Sequence, residues 1–199
     1  EEGATHQLHR GHLVAAVRGS SQYRKLSFLP ESIGERVLPE GLHLQERPHI
    51  PGAMASSPFD AEGVATRDSD LVTDGVLARY LLGSYSARKL GLQSTGNAGG
   101  VHNLVASANA SGLDEMLRGM GRGLLVTELM GQGANTVTGD YSRGASGFYI
   151  ANGEIQYPVE ELTIAGQLQQ LLPGIQAMAD DAEPQSMIWA GSLLVDGFT

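Results

Sequence analysis

Apolar positions along the chain come in short bursts separated by glycine- and proline-rich breaks. Residues 4–18 place Leu8, Leu13, Val14 and Val17 within a helical period, and Gly19-Ser20-Ser21 follows as a stop, which predicts one amphipathic helix over 4–18. From Leu26 to Ser57, Pro30, Pro39, Pro48 and Pro51 interrupt pieces such as Leu42-His43-Leu44-Gln45, a pattern of short strands and loops. Asp74-Gly75 lies between two β-compatible runs and predicts a hairpin, because both turn residues must tolerate positive φ. Residues 84–90 open a short helix capped by Ser84 and stopped by Gly91, and 94–100 then reads as loop or bulged edge. A further short helix is expected over 113–120, a buried strand over 123–130, and a second hairpin around Asn152-Gly153. Residues 166–181 are helical in pattern, with Pro173 either kinking the helix or beginning a second one, and 187–195 returns to strand. Strands outnumber helices and hairpins join them, so the expected class is α+β: a largely antiparallel sheet with hairpins and a few helices.

The chain has 199 residues, enough for one large domain or two small ones. Its 22 acidic and 13 basic side chains give a formal charge of -9. The distribution says more than the total: all 13 basic groups fall within residues 1–150, whereas 151–199 hold seven acids and no Lys or Arg. A duplex DNA binder needs a basic footprint to displace counterions from phosphate, and no window supplies one, so direct DNA binding is not expected. The absence of cysteine excludes a disulfide framework, a Cys-based zinc site and a thiol nucleophile, and fits a reducing compartment. No apolar run approaches the roughly 20 residues of a membrane span. A soluble, cytoplasmic protein is the expectation.

The polar cluster His6-Gln7-Leu8-His9-Arg10-Gly11-His12 contains histidines at i and i+3, which share a helix face and could bind a metal. On a helix, however, His6 and His12 would point about 240° apart. No carboxylate stands among them as a base, and a polar helix face with one partly packed histidine is the competing reading. Met130-Gly131-Gln132-Gly133 looks superficially like a phosphate loop, yet lacks the Lys-Ser/Thr of a Walker loop and has Glu128 beside it. Asp140, Ser142 and Arg143 lie within four residues, but a triad would need a histidine, and only guesswork brings His102 near. The alternatives there are a turn in which Asp140 caps its own backbone, and a glycine-rich edge that lets an extended peptide pair with the sheet. Asp60 and Glu62 share a face at strand spacing and read as a solvated edge, as do Asp180, Asp181 and Glu183 just past the end of a helix.

Longer motifs then carry a resemblance. Leu129-Met130-Gly131-Gln132-Gly133, Thr138-Gly139-Asp140-Tyr141-Ser142-Arg143-Gly144-Ala145 and Asn152-Gly153-Glu154-Ile155-Gln156-Tyr157-Pro158-Val159 resemble the PmbA, or TldE, branch of the TldD/PmbA family. Tyr85-Ser86-Ala87-Arg88-Lys89-Leu90-Gly91 and Ser94-Thr95-Gly96-Asn97-Ala98-Gly99-Gly100 do the same, so the resemblance covers nearly the whole chain, residues 1–199. Chains of this family are about twice as long, which implies that this sequence is a C-terminal half.

The resemblance implies a cytoplasmic metallopeptidase system, historically labelled a modulator of DNA gyrase, in which PmbA-like and TldD-like chains pair. Such pairs process short unfolded peptides, with antibiotic maturation and antitoxin degradation as associated roles. In the TldD-like branch a His-Glu-x-x-x-His helix binds zinc through its histidines, its Glu activates water and a Cys contributes. Set against that motif, which would fall within residues 1–25, this chain has Gln7 for the first His and Leu8 for the Glu, and keeps only His12. The resemblance therefore implies a heterodimer subunit without its own zinc, the metal residing on a TldD-like partner. His12, Gly131, Gln132, Gly133, Asp140, Ser142 and Arg143 are the residues expected to meet a short unstructured peptide. Two competing expectations are a self-sufficient metallohydrolase using His6, His9 and His12, and a non-enzymatic binder of peptides or of gyrase.

Overall fold

The computed structural model describes residues 2–5, 11–110, 112–184 and 186–198. Strands β1 (Glu2–Thr5), β6 (Arg122–Met130), β7 (Asp140–Ala151), β8 (Glu154–Gln167), β9 (Ile175–Met178) and β11 (Leu193–Val195) form a six-stranded sheet in the order β8-β7-β6-β1-β11-β9. Strands β2 (Leu44–Glu46), β3 (Ser69–Thr73), β4 (Val76–Leu77), β5 (Leu104–Ala106) and β10 (Ile188–Trp189) form a five-stranded sheet in the order β10-β5-β2-β3-β4. The pairs β1/β6 and β10/β5 are parallel and the other strand pairs antiparallel. Helices α1 (His12–Ala16), α2 (Gly19–Tyr23), α3 (Ser84–Leu90), α4 (Leu113–Met120) and α5 (Leu168–Leu171) complete an α+β fold. Among the described residues no helix is long and apolar enough to cross a membrane.

Both hairpins form where the Asx-Gly pairs place them. Asp74 and Gly75 have φ of 51° and 75°, and Asn152 and Gly153 have φ of 56° and 76°, the left-handed pairs that match the strand twist. The main core draws Leu44, Leu71, Leu77 and Leu104 from one sheet and Val126, Tyr141, Ala145 and Ile164 from the other. A smaller cluster packs Met116, Leu117 and Met120 of α4 against Leu125 and Ile150 on the opposite face of the six-stranded sheet. Each such side chain contributes about 1.5–3 kcal/mol by leaving water.

Four expectations about secondary structure change. Residues 4 and 5 are strand, 6–10 lie outside the described residues, and the helix runs only from His12 to Ala16. It breaks at Arg18, whose extended backbone (φ -64°, ψ 138°) lets Leu81 N–H donate to Val17 O and Gly19 N–H to Leu81 O, and Gly19 then starts α2 instead of stopping a helix. Over 166–181 the helical spacing is met by a strand end, one turn of α5 and β9. Leu168, Leu171, Leu172, Ile175 and Met178 are all buried, while Pro173 cannot supply the N–H that a continuing helix needs. The 187–195 run divides at Ala190-Gly191-Ser192, so that β10 joins one sheet and β11 the other. Finally, α3 is capped by Gly83 with no side-chain cap from Ser84, whose N–H donates to Glu62 Oε2 at 2.7 Å, and it ends at the left-handed Gly91 (φ 68°).

The 94–100 loop is held by a buried polar cluster. Glu46, 2% exposed, accepts from Arg79 Nη2 (2.6 Å), Asn97 Nδ2 (2.7 Å) and His102 N–H (2.6 Å). Arg79 also donates to Asn97 Oδ1 and Ser69 Oγ, each at 2.9 Å. Asp60, expected on a solvated edge, is 3% exposed and accepts from the N–H groups of Glu62, Val64 and Ala98. Burial alone would raise its pKa, but these backbone donors hold the carboxyl below its ordinary value. Asp181 follows strand β9, not a helix, and accepts from Ser192 N–H and Oγ at 2.7 and 2.6 Å.

Candidate functional site

The β7–β8 hairpin carries Asp140–Arg143 at its far end, where Asp140 opposes Gln167 and Arg143 opposes Ile164. The loop from β6 folds back over this end. Asn135 N–H donates to Asp140 O and Ser142 N–H to Gly133 O, at 2.8 and 2.7 Å. A Cβ on Gly133 would lie 1.5 Å from Ser142 O, so only glycine allows that approach. Asn135, not Asp140, caps the turn: its Oδ1 accepts from Val137 N–H (2.9 Å) and Thr138 N–H (3.3 Å).

Alternation along β7 separates the expected site residues. Asp140 and Ser142 are exposed, as are Gly131 and Gln132, while Tyr141 is 2% exposed and Arg143 half-buried. Asp140 accepts from Thr138 Oγ1 and Gln167 Nε2, and these hydrogen bonds hold its carboxyl below its ordinary value. His102 does not reach it; its ring nitrogens lie 3.3 Å from Ala55 O and 3.2 Å from Gly96 O.

The inward face brings His12, Tyr141 and Arg143 together. The His12 ring meets Tyr141 edge-on at a centroid distance of 5.8 Å, and Phe198 lies 6.1 Å from the other side of Tyr141. Arg143 Nη2 donates to Gly131 O at 2.6 Å, which fixes the guanidinium under the glycine-rich loop. Tyr141 Oη and Arg143 Nε are buried without a well-formed hydrogen bond among the described residues, the Arg143 side chain standing toward the hydroxyl as a weak donor. A poorly matched buried polar group costs up to about 1–3 kcal/mol. Burial, and then the Arg143 charge, lower the His12 pKa, and burial raises that of Tyr141 against the opposing pull of Arg143. At neutral pH the cluster is a neutral imidazole, a neutral phenol and a fixed cation, suited to a carbonyl or carboxylate oxygen.

The same set does not fit a zinc ion. Arg143 places positive charge beside His12, and among the described residues no group of three His, Asp or Glu side chains converges for a metal. His6 and His9 lie outside the described residues. Tyr141, the centre of this cluster, is not among the expected site residues: its stretch reads in sequence as a turn or a glycine-rich edge, in which the polar neighbours Asp140, Ser142 and Arg143 stand out instead.

The profile of the family described as PmbA/TldA metallopeptidase C-terminal domain matches residues 1–199. A Haemophilus influenzae protein named metalloprotease PmbA homolog is 56% identical over 186 residues, covering 93% of this chain and 41% of the relative. Metalloprotease PmbA of Escherichia coli O157:H7 is 53% identical over 185 residues, again 93% of this chain and 41% of the relative. The chain thus spans under half the length of these two relatives. A crystal structure from Bacteroides thetaiotaomicron, of a protein proposed to modulate DNA gyrase, superposes with a TM-score of 0.92 at 31% identity, covering 99% of this chain and 46% of that one.

Proposed function

The chain belongs to the PmbA/TldA metallopeptidase C-terminal domain family, and from that membership we propose that it is the C-terminal portion of a PmbA/TldE-type subunit. It pairs in the cytoplasm with a TldD-like chain that carries the zinc, and helps hold the short unfolded peptides which the pair cleaves. The observation that carries this reading is the cluster at His12: a fixed Arg143 cation beside an imidazole that burial and that charge keep neutral favours a peptide oxygen over a metal. The 53–56% identity to PmbA metalloproteases supports the branch.

Bound to the partner, zinc would acidify water and polarise the scissile carbonyl. The part of this chain is to bind and orient. The Arg143 cation attracts a peptide carbonyl or terminal carboxylate, and Gly131, with no non-neighbouring atom of the described residues within 4 Å of its Cβ position, leaves room for an extended backbone.

Co-purification with a TldD-like chain, followed by digestion of an unstructured peptide, tests the proposal. Cleavage by the pair and by neither chain alone is expected, with chelation abolishing it. Stoichiometric zinc held through His12 in this chain alone would overturn the reading, as would recovery of gyrase from lysate with no TldD-like chain.

A further inference from the structure

A second concave region shares no lining residue with the His12–Tyr141–Arg143 cluster. Helices α2 and α3 lie side by side, and Tyr23 and Tyr85 meet edge-on across them at 5.7 Å. On one side of this aromatic wall is a cleft of about 750 Å³ lined by Lys25, Glu31, Tyr80 and Lys89. On the other is a cleft of about 310 Å³ that includes Arg18, Glu62 and Gly100. The two share Tyr23 and Tyr85, and the larger cleft forms a groove with these rings in its wall.

Three features are unusual for an inert surface. Tyr85, which lines both clefts, is 52% exposed, so apolar area is kept in water at the groove. Of the positive-φ residues other than Gly, Asn and Asp, which are Lys25, Glu31 and Glu161, two line this groove. Such conformations persist only where the surroundings impose them. The charge also runs against the rest of the molecule. In a chain of net -9, Lys25 and Lys89 enter the larger cleft against the single carboxylate of Glu31. Glu62, in the smaller cleft, is already engaged by Ser84 N–H. The Lys89 ammonium lies 5.7 Å from the Tyr85 ring centroid and the Arg24 guanidinium 5.6 Å from that of Tyr23. Among the described residues neither Lys25 nor Lys89 has a carboxylate partner within ion-pair distance.

We propose that this groove is a binding site for an extended acidic peptide segment bearing an aromatic side chain. Its carboxylates would sit on Lys25 and Lys89, and its ring would pack on Tyr85. A cleft of about 750 Å³ suits a short stretch of chain more than a single small anion, and the charge excess selects acidic sequence. The site does not depend on the peptidase reading, because binding here needs no zinc and no cleavage.

Fluorescence anisotropy tests this, with the purified protein keeping whatever sequence flanks residues 1–199 in its gene. The probe is a labelled unstructured decapeptide of alternating Glu and Phe, and the control replaces each Glu with Lys. The acidic peptide is expected to bind and the basic one not. Lys25→Gln with Lys89→Gln should weaken binding about 10-fold, as should raising the salt, and Tyr85→Ala about fivefold. Circular dichroism of each variant separates a lost site from a lost fold. Equal binding of the two peptides, or full affinity in the lysine variant, overturns the proposal. Displacement by a single-stranded oligonucleotide acting through the same lysines would assign the groove to nucleic acid instead. Protection of Lys25 and Lys89 from acylation before any peptide is added would show the groove already covered by the protein itself, which also overturns it.

Discussion

Two buried polar clusters, one anchored on each sheet, use similar side chains and are completed differently. Around Glu46 every strong group is matched: the carboxylate accepts three hydrogen bonds, and Arg79 spends its donors on Glu46, Asn97 and Ser69. Around Tyr141, a phenol and a guanidinium nitrogen are buried without a well-formed hydrogen bond among the described residues. The first cluster closes a loop onto a sheet and is finished within the chain. The second is left incompletely matched, which is why it and not the first is the candidate site. A buried charge alone does not separate the two, since both clusters contain an arginine.

The sharpest way to break this contrast is Glu46→Ala. It leaves Arg79 buried without its carboxylate and should cost about 3–5 kcal/mol, read from urea unfolding. A loss below about 1 kcal/mol would mean that the matched cluster is no structural keystone. Gly133→Ala comes next, at about 2–3 kcal/mol, because its Cβ cannot share space with Ser142 O. Tyr141→Phe should behave oppositely to Glu46→Ala. Removing a poorly matched hydroxyl should leave stability within about 1 kcal/mol of the parent, in the stabilising direction. Peptide cleavage by the proposed complex with a TldD-like chain should nonetheless fall, and unchanged turnover would remove Tyr141 from the site.

The smallest effect belongs to His12. Its pKa is lowered in the fold, so the unfolded chain binds the proton more readily. The His12 contribution is therefore constant above the ordinary value of 6.5 and is lost as pH falls below it. Unfolding midpoints measured from pH 8 to 5 should decline on the acid side in the parent and decline less in His12→Asn. The Asp60 contribution, with a lowered carboxyl pKa, is lost only at lower pH, through the carboxylate range, and does not mask this window.

Local chemistry was legible where one residue pair decides the backbone. Asp74-Gly75 and Asn152-Gly153 announce their turns because few other residues accept two successive positive φ values. Periodicity misled where tertiary hydrogen bonds compete with the helix. The 4–18 pattern is cut at Arg18 by pairing with Leu81, more than sixty residues away, and the 166–181 spacing of buried residues is satisfied equally by strand, turn and strand. The site was half visible: Arg143 and the Gly131–Gly133 loop stand out in sequence, whereas the face on which each β7 residue lands depends on pairing with β8. That pairing puts Tyr141 inward and sends Asp140 and Ser142 to solvent.

The position of β1 has a consequence for how the molecule is made. Residue 3 pairs with Leu124 on one side and Val195 on the other, so the first strand described is an inner member of the six-stranded sheet and joins its two halves. During synthesis that strand emerges well before its two partners, β6 at residues 122–130 and β11 at residues 193–195. The β7–β8 hairpin can zip from its own turn, but the seam that unites the sheet closes only after residue 195 has left the ribosome. Assembly is thereby ordered in time, with local hairpins first and the joining of β1 to β11 last.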